Sequence, residues 1–320
     1  MNRLALVLSG GFVKGVAHIS IAEEMYKRGY IPDVFVGTSI GAIFSVLLGL
    51  YDDPKIVKQI TQEFIKSHIW PQLVSIDIFS KAGLFESKEA IKLIAKEAGF
   101  VGKAFKSLKK PVYVTSTDLN TGKLILFGKD KAMLLSEALE ASISFPVIFK
   151  PKKMRINGKL MALADGGIRE NCPISVAAKI PRVKRIIACD LGYCGQSKGD
   201  FNRKNALDVF MQCLDLTTSF SQINRYINDE VFIKNKTAVR IINPGIFDVL
   251  PFDFKEIPSI INRASKTAKN IFGRFKTPEA FFRLWKSDPF RKEHMTVEHI
   301  GKKRTNAFEI MANIKSIKEF

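Results

Sequence analysis

The chain has 320 residues, is 46% hydrophobic and 25% charged, and carries a formal net charge of +19 from 50 Lys and Arg against 31 Asp and Glu. This composition excludes wholesale disorder and a collagen-like or low-complexity chain, and a chain of this length buries a large core without disulfide staples. The positive excess attracts polyanions, nucleic acid or an anionic membrane surface, and composition does not choose between them.

The N-terminus places Arg3 before a short apolar run, Leu4 to Leu8, which Gly10 and Gly11 end too soon for a signal-peptide core. The run is expected to be a buried first strand instead. Val16 to Arg28 has helical spacing and stops at Gly29. Asp33 to Gly37 is a second short strand, and Ala42 to Leu50 a helix apolar nearly all round, hence buried. The apolar stretch Ile40 to Tyr51 is still well short of the ~20 residues a membrane span needs. Strand, helix, strand, helix in this order predicts a right-handed crossover in a parallel sheet.

Lys55 to Lys66 and Lys88 to Ala98 are expected to be helices. Val112 to Thr117 and Lys123 to Phe127 are expected to be strands joined by a turn at Asn120-Thr121-Gly122. Helix is expected over Leu134 to Ala141, strand over Arg185 to Asp190, helix over Ala206 to Asn228, strand over Val239 to Ile242 and helix over Pro258 to Phe275. The organisation is one large α/β domain over residues 1–275 with a basic, mostly helical C-terminal extension over 276–320. Cys172, Cys189, Cys194 and Cys213 contain no C-x-x-C pair, so they read as free thiols of a reducing compartment rather than a zinc site.

Three motifs carry chemistry. Gly37-Thr38-Ser39-Ile40-Gly41 is a G-x-S-x-G elbow between a predicted strand and a predicted helix. There the serine projects from a tight turn beside the positive end of the helix dipole. Ser9-Gly10-Gly11-Phe12-Val13-Lys14-Gly15 joins the first strand to the first helix and offers backbone N–H groups to an anion. Phe12 occupies the middle glycine of a dinucleotide fingerprint, and Val16 stands where a Walker loop needs Lys, so neither phosphate loop fits. An oxyanion hole built from the Gly10, Gly11, Phe12 and Ile40 amides does. Lys14 is placed either to neutralise a phosphate or to form an ion pair. Asp165-Gly166-Gly167 ends an apolar run, Leu160 to Ala164, that is expected to be a strand.

A serine nucleophile needs a base. Ser39, Asp165 and His294 or His299 would satisfy the chain order of a conventional Ser–Asp–His hydrolase, but one strand–helix unit before the elbow is too few for that fold. His18, one turn into the first helix, suits a packing or local hydrogen-bonding role.

Taken in order, these residues resemble the patatin-like phospholipases over about Arg3 to Phe272. The likeness rests on the Gly10–Gly15 loop with Lys14, the elbow at Ser39, the segment Ala141 to Phe149, and Asp165-Gly166-Gly167. The resemblance implies a three-layer α/β sandwich with a mainly parallel sheet and a Ser–Asp dyad, Ser39 as nucleophile and Asp165 as base, without histidine, metal or cofactor. It implies hydrolysis of (phospho)lipid carboxylic esters through an acyl-enzyme, of phospholipase A or lysophospholipase type. An acyltransferase using the same intermediate is the nearest alternative. Phe12 departs from the family, many of whose members have a third glycine there.

The expected partner is a lipid substrate at an anionic membrane or micelle interface, with no nucleic acid. The expected location is the cytoplasm or the membrane periphery, with neither signal peptide nor transmembrane segment. Lys103 to Lys110, Lys150 to Lys159 and Arg263 to Lys292 interleave cations with apolar residues, and Phe272, Phe275, Phe281, Phe282, Leu284 and Trp285 are candidates for insertion at the boundary.

Overall fold

The structure is a computed structural model that describes residues 2–66, 86–192, 209–218, 237–275, 277–282, 295–298 and 305–306. In chain order the first elements are β1 (Arg3–Leu8), a 3-10 turn (Phe12–Val16), α1 (Ala17–Lys27), β2 (Val34–Thr38), α2 (Ile40–Tyr51), α3 (Pro54–Lys66) and α4 (Ser87–Glu97). Then come β3 (Val112–Asp118), β4 (Leu124–Phe127), α5 (Leu135–Ser142), β5 (Lys152–Ile156), β6 (Lys159–Asp165), α6 (Gly167–Glu170), α7 (Ile174–Ala178) and β7 (Val183–Cys189). The last are β8 (Ala238–Ile242), α8 (Ile257–Gly273), α9 (Pro278–Phe282), β9 (Met295–Glu298) and β10 (Thr305–Asn306). No helix among the described residues is long and apolar enough to cross a membrane.

All ten of these strands belong to one sheet. β2 and β7 flank β1, and the pairs β1–β2, β1–β7, β2–β3, β7–β8 and β8–β9 are parallel. Antiparallel pairing is confined to β4, β5 and β6 beyond β3, and to β10. Along β1 the side chains alternate by size as well as by face. Leu4, Leu6 and Leu8 enter a thick layer containing α1, α2, α3, α4, α5 and α8, whereas Ala5 and Val7 face a thin layer around α7. Helices therefore cover both faces, giving the expected three-layer α/β sandwich.

β6 covers the strand expected over Leu160 to Ala164, but its partner β5 was not expected: the two form an antiparallel hairpin turned at Asn157 (φ 49°) and Gly158 (φ 78°), at the end of the basic stretch Lys150 to Lys159. Asn-Gly is a strong two-residue hairpin signal, because both positions tolerate positive φ. The extension expected to be mostly helical contributes α9 and two short strands among its described residues. Of the helix expected over Ala206 to Asn228, residues 209–218 are described and helical.

The aromatic residues proposed for membrane insertion need correcting. Phe272 and Phe281 are fully buried and Phe282 nearly so. Tyr30 stacks within 5.0 Å of Phe272 and 5.2 Å of Phe281, and Phe275 packs edge-on to Phe281 at 5.0 Å. Each such ring contributes roughly 1.5–3 kcal/mol by burial, which insertion would forfeit. Leu284 and Trp285 lie outside the described residues. Several cations of the basic stretches are paired internally: Lys110 with Asp52, Lys152 with Glu140, and Arg263 with Asp248.

Candidate active site

Sheet register brings Ser39 and Asp165 together. β4 pairs with β3 over Val114–Thr117. β2 pairs with β3 as far as Thr38 opposite Thr115, and β6 pairs with the next stretch, Asp165 opposite Ser116. A strand has two edges, and β4 overlaps both partners, so β2 and β6 share the other edge end to end. β2 is parallel to β3 and β6 antiparallel, so their C-terminal ends meet. Hydroxyls pin the junction. Thr38 Oγ1 and Thr115 Oγ1 are 2.6 Å apart, Thr117 Oγ1 donates to the Asp165 carbonyl at 3.0 Å, and Ser116 Oγ donates to the Ala164 carbonyl at 2.7 Å.

Ser39 caps α2 with φ 55° and ψ −127°, a conformation that non-glycine residues rarely adopt. The flanking glycines permit it. A Cβ at Gly37 would stand 2.3 Å from the Gly41 carbonyl oxygen, and one at Gly41 would stand 2.2 Å from that of Leu8. The Ser39 N–H donates to Ser142 Oγ at 2.9 Å. Ser142 lies in the Ala141 to Phe149 segment, although its own part in the elbow was not read there.

In the turn after β1, the Gly10 N–H donates to the Asn171 carbonyl at 3.1 Å. A Cβ at Gly10 would meet Asn171 Oδ1 at 2.5 Å and Ser39 Cβ at 3.2 Å, so a side chain here would push Asn171 aside and crowd the elbow. Ser9 Oγ accepts the Leu191 N–H at 2.9 Å. The Ser9 carbonyl accepts a hydrogen bond from His18 Nε2 at 2.9 Å, which assigns the ring proton to that nitrogen. Burial pushes the His18 pKa down to about 4, against the weaker opposing pull of that bond. The N–H groups of Gly11, Phe12 and Ile40 have no acceptor among the described residues.

Asp165 is buried. Burial raises its pKa to about 6, and the Ser39 hydroxyl and the Gly167 N–H each pull it part of the way back. The Gly167 N–H donates to Asp165 Oδ1 at 2.7 Å. Oδ2 is buried without a hydrogen-bond partner. The Ser39 hydroxyl is thus near enough to favour the carboxylate, but it closes no hydrogen bond to it.

Two cavities meet at Ser39. One is lined by Ser39, Asp165, Gly10, Gly11, Lys14 and Asn171, together with residues of the 209–218 helix. The other is apolar and runs past Ile40, Ile43 and Ile94. Phe12 borders both cavities, at φ 52°, with its ring edge-on to Phe145 and to Phe252 at 5.0 Å each. The structure therefore places Ser39, Asp165, Gly10, Gly11, Phe12, Lys14 and Gly167 around one space. Gly15, Gly37, Gly41 and Gly166 lie behind it at close approaches; a Cβ at Gly166 would stand 2.5 Å from Thr115 Oγ1. His68, His294 and His299 lie outside the described residues. Among the described residues no three His, Cys, Asp or Glu side chains group as a metal site would need.

A model of the patatin-like phospholipases matches residues 6–178, from the first strand through all three motifs. The chain belongs to the patatin-like phospholipase family. That family is one of lipid acyl hydrolases, and the patatin-like region contains every motif residue described above. Among curated relatives, YqhO of Bacillus subtilis is 24% identical over 87% of this chain and 98% of its own length. The NTE family protein Rv1063c of Mycobacterium tuberculosis is 30% identical over 56% of this chain, which corresponds to 46% of that protein. Among solved structures, VipD from Legionella pneumophila superposes over 99% of this chain and 75% of its own, with a TM-score of 0.50 at 15% identity. At that identity the likeness concerns the fold alone.

Proposed function

We propose that this patatin-like chain is a serine acyl hydrolase of lipid carboxylic esters, with Ser39 as nucleophile and Asp165 as base. The supporting observation is the meeting of β2 and β6 on adjacent residues of β3, which sets a strained serine beside a buried carboxylate with one partnerless oxygen. Ser39 Oγ attacks the ester carbonyl carbon and passes its proton to Asp165 Oδ2. The oxyanion is held by the N–H groups of Gly11, Phe12 and Ile40, at the positive end of α2. The Gly10 N–H is engaged by Asn171, so Gly10 serves by close approach rather than as a donor. On collapse the ester C–O bond breaks, and the leaving alkoxide takes the proton from Asp165. Water then attacks the acyl-enzyme carbonyl and gives a proton to Asp165; the Ser39 Oγ–acyl bond breaks to release the acid, and Asp165 returns the proton to Ser39 Oγ.

An aspartate of ordinary pKa is a weak base, and a raised pKa brings it nearer the working range. Activity requires the ionised form, so the rate falls as pH drops through about 6. The apolar cavity suits an acyl chain, and the cavity with Lys14 and Asn171 suits the leaving group. Phe12, Phe145 and Phe252 form the wall between them. The substrate is drawn from an anionic membrane or micelle surface, in keeping with the net charge of +19.

The test is ester hydrolysis in mixed micelles together with fluorophosphonate labelling. Ser39→Ala and Asp165→Asn are expected to lower turnover by about 10⁴-fold, as loss of a member of a catalytic unit does. Labelling is expected in the unaltered chain and absent in Ser39→Ala. Hydrolysis surviving either substitution would refute the dyad.

A further inference from the structure

A second apolar pocket, open to solvent on one side, lies behind the first. It is bounded by Phe44 and Leu47 of α2 and by Ile60, Thr61 and Phe64 of α3. The two cavities share Ile40, Ile43 and Ile94 as walls. Ser39 caps α2, so a chain leaving Ser39 along that helix meets Ile40, then Ile43, and reaches the level of Leu47 after ~12 Å of helix axis. Apart from Thr61 and Glu97 the lining of this second pocket is aliphatic and aromatic, so it offers water few partners. A flexible alkyl chain fits both its shape and its lining.

We propose that the two cavities form one acyl track, that a long substrate chain passes between Ile43 and Ile94 to end against α3, and that these two side chains set the accepted chain length. This rests on the hydrolase reading above. Neither residue touches the reacting atoms; both act on specificity. Ile43 is buried on α2 and Ile94 on α4, so each is held by its helix rather than by a loop.

The experiment compares kcat/KM of the full chain on p-nitrophenyl butyrate, octanoate and palmitate. Ile43→Phe narrows the passage, and Thr61→Trp fills the far cavity from the half-buried α3 surface, with Thr61→Phe as a milder second variant. Butyrate stays in the first cavity, so its hydrolysis is expected to change less than about twofold in the two Thr61 variants. The palmitate-to-butyrate ratio is expected to fall at least about tenfold in every variant, and the octanoate-to-butyrate ratio only in Ile43→Phe. An unchanged palmitate ratio in both Thr61 variants would show that the chain never reaches α3. An equal loss on all three esters in Ile43→Phe would deny it a role in length selection. Butyrate hydrolysis that Ser39→Ala abolishes keeps the hydrolase reading intact while the ratios judge the track. No Ser39-dependent cleavage of any ester would end both.

Discussion

The elbow at the end of β2 and the turn at the end of β1 each carry a strand into a helix, side by side at the same edge of the sheet. They are held by different forces. The elbow is fixed by steric exclusion: Gly37 and Gly41 stand so close to backbone oxygens that no Cβ fits, and Ser39 takes a rare φ. The turn after β1 is fixed by polar bonds to its neighbours: Gly10 N–H to Asn171, Leu191 N–H to Ser9 Oγ, and His18 to the Ser9 carbonyl. A nucleophile needs one position, and steric exclusion permits one. A turn that offers N–H groups can accept a bulky Phe12, provided its carbonyls and amides stay tied back.

Gly41→Ala and Gly11→Ala test that contrast. A Cβ at Gly41 would meet the carbonyl oxygens of Leu8 at 2.2 Å and Ser9 at 2.5 Å, and neither backbone atom can rotate away. The expected cost is about 3 kcal/mol or more, at the upper end of overpacking. A Cβ at Gly11 would meet side-chain atoms only, Leu191 Cδ1 at 3.1 Å and Leu191 Cβ at 3.2 Å, which is tight without overlapping backbone. Its expected cost is about 1–2 kcal/mol. Urea unfolding of both variants measures the difference; equal losses would break the distinction between the turns.

The strand end that supplies Asp165 follows neither pattern, because burial there works against stability. Its folded pKa is raised to about 6 from 3.8. The protonated form therefore favours folding; that contribution is complete below the unfolded pKa and is lost as pH rises through about 6. Asn at this position keeps an acceptor for the Gly167 N–H and never ionises. Asp165→Asn is expected to be inactive yet more stable than the unaltered chain by about 3 kcal/mol at about pH 8, with the gap closing towards about pH 4. A gap that does not depend on pH would mean that the carboxylate is not penalised by burial, and the argument for its basicity would fall with it.

The sequence made the front of the site legible because its constraints are local. Gly37 and Gly41 flank Ser39 within one turn, and the strand before it and helix after it show in plain periodicity. What stayed hidden depends on partners distant in the chain. Nothing near Asn171 marks its carbonyl as the acceptor for Gly10, and nothing in Val112 to Asp118 announces that β2 and β6 abut on that strand. The β5–β6 hairpin was written in Asn157-Gly158 but masked by the surrounding lysines, whose charge suggested a surface rather than a strand. Phe272 and Phe281 misled for the opposite reason: aromatic residues among cations suggest a membrane face, yet α8 and α9 turn these rings onto Tyr30. Phe12 was visible as a departure, but its place as a wall between two cavities needed Phe145 and Phe252, which lie far along the chain.

The smallest effect at neutral pH tests the polar side of the comparison. His18 is fully buried, and its Nδ1 has no hydrogen-bond partner. Its contribution at neutral pH is one bond, from Nε2 to the Ser9 carbonyl. His18→Leu removes that donor while keeping an apolar side chain in an apolar place, at an expected cost of about 1 kcal/mol at about pH 8. The sign changes in acid. A folded pKa of about 4 against an ordinary 6.5 means that the unfolded chain takes up the proton first. The stability His18 contributes is therefore present above the unfolded value and is lost as pH falls towards the folded one. Leu carries no such liability, so the variant is expected to overtake the unaltered chain as pH approaches about 4. Parallel stability curves for the two chains across that range would show that the imidazole is protonated where it sits, and the turn after β1 would then be held by charge rather than by a neutral donor.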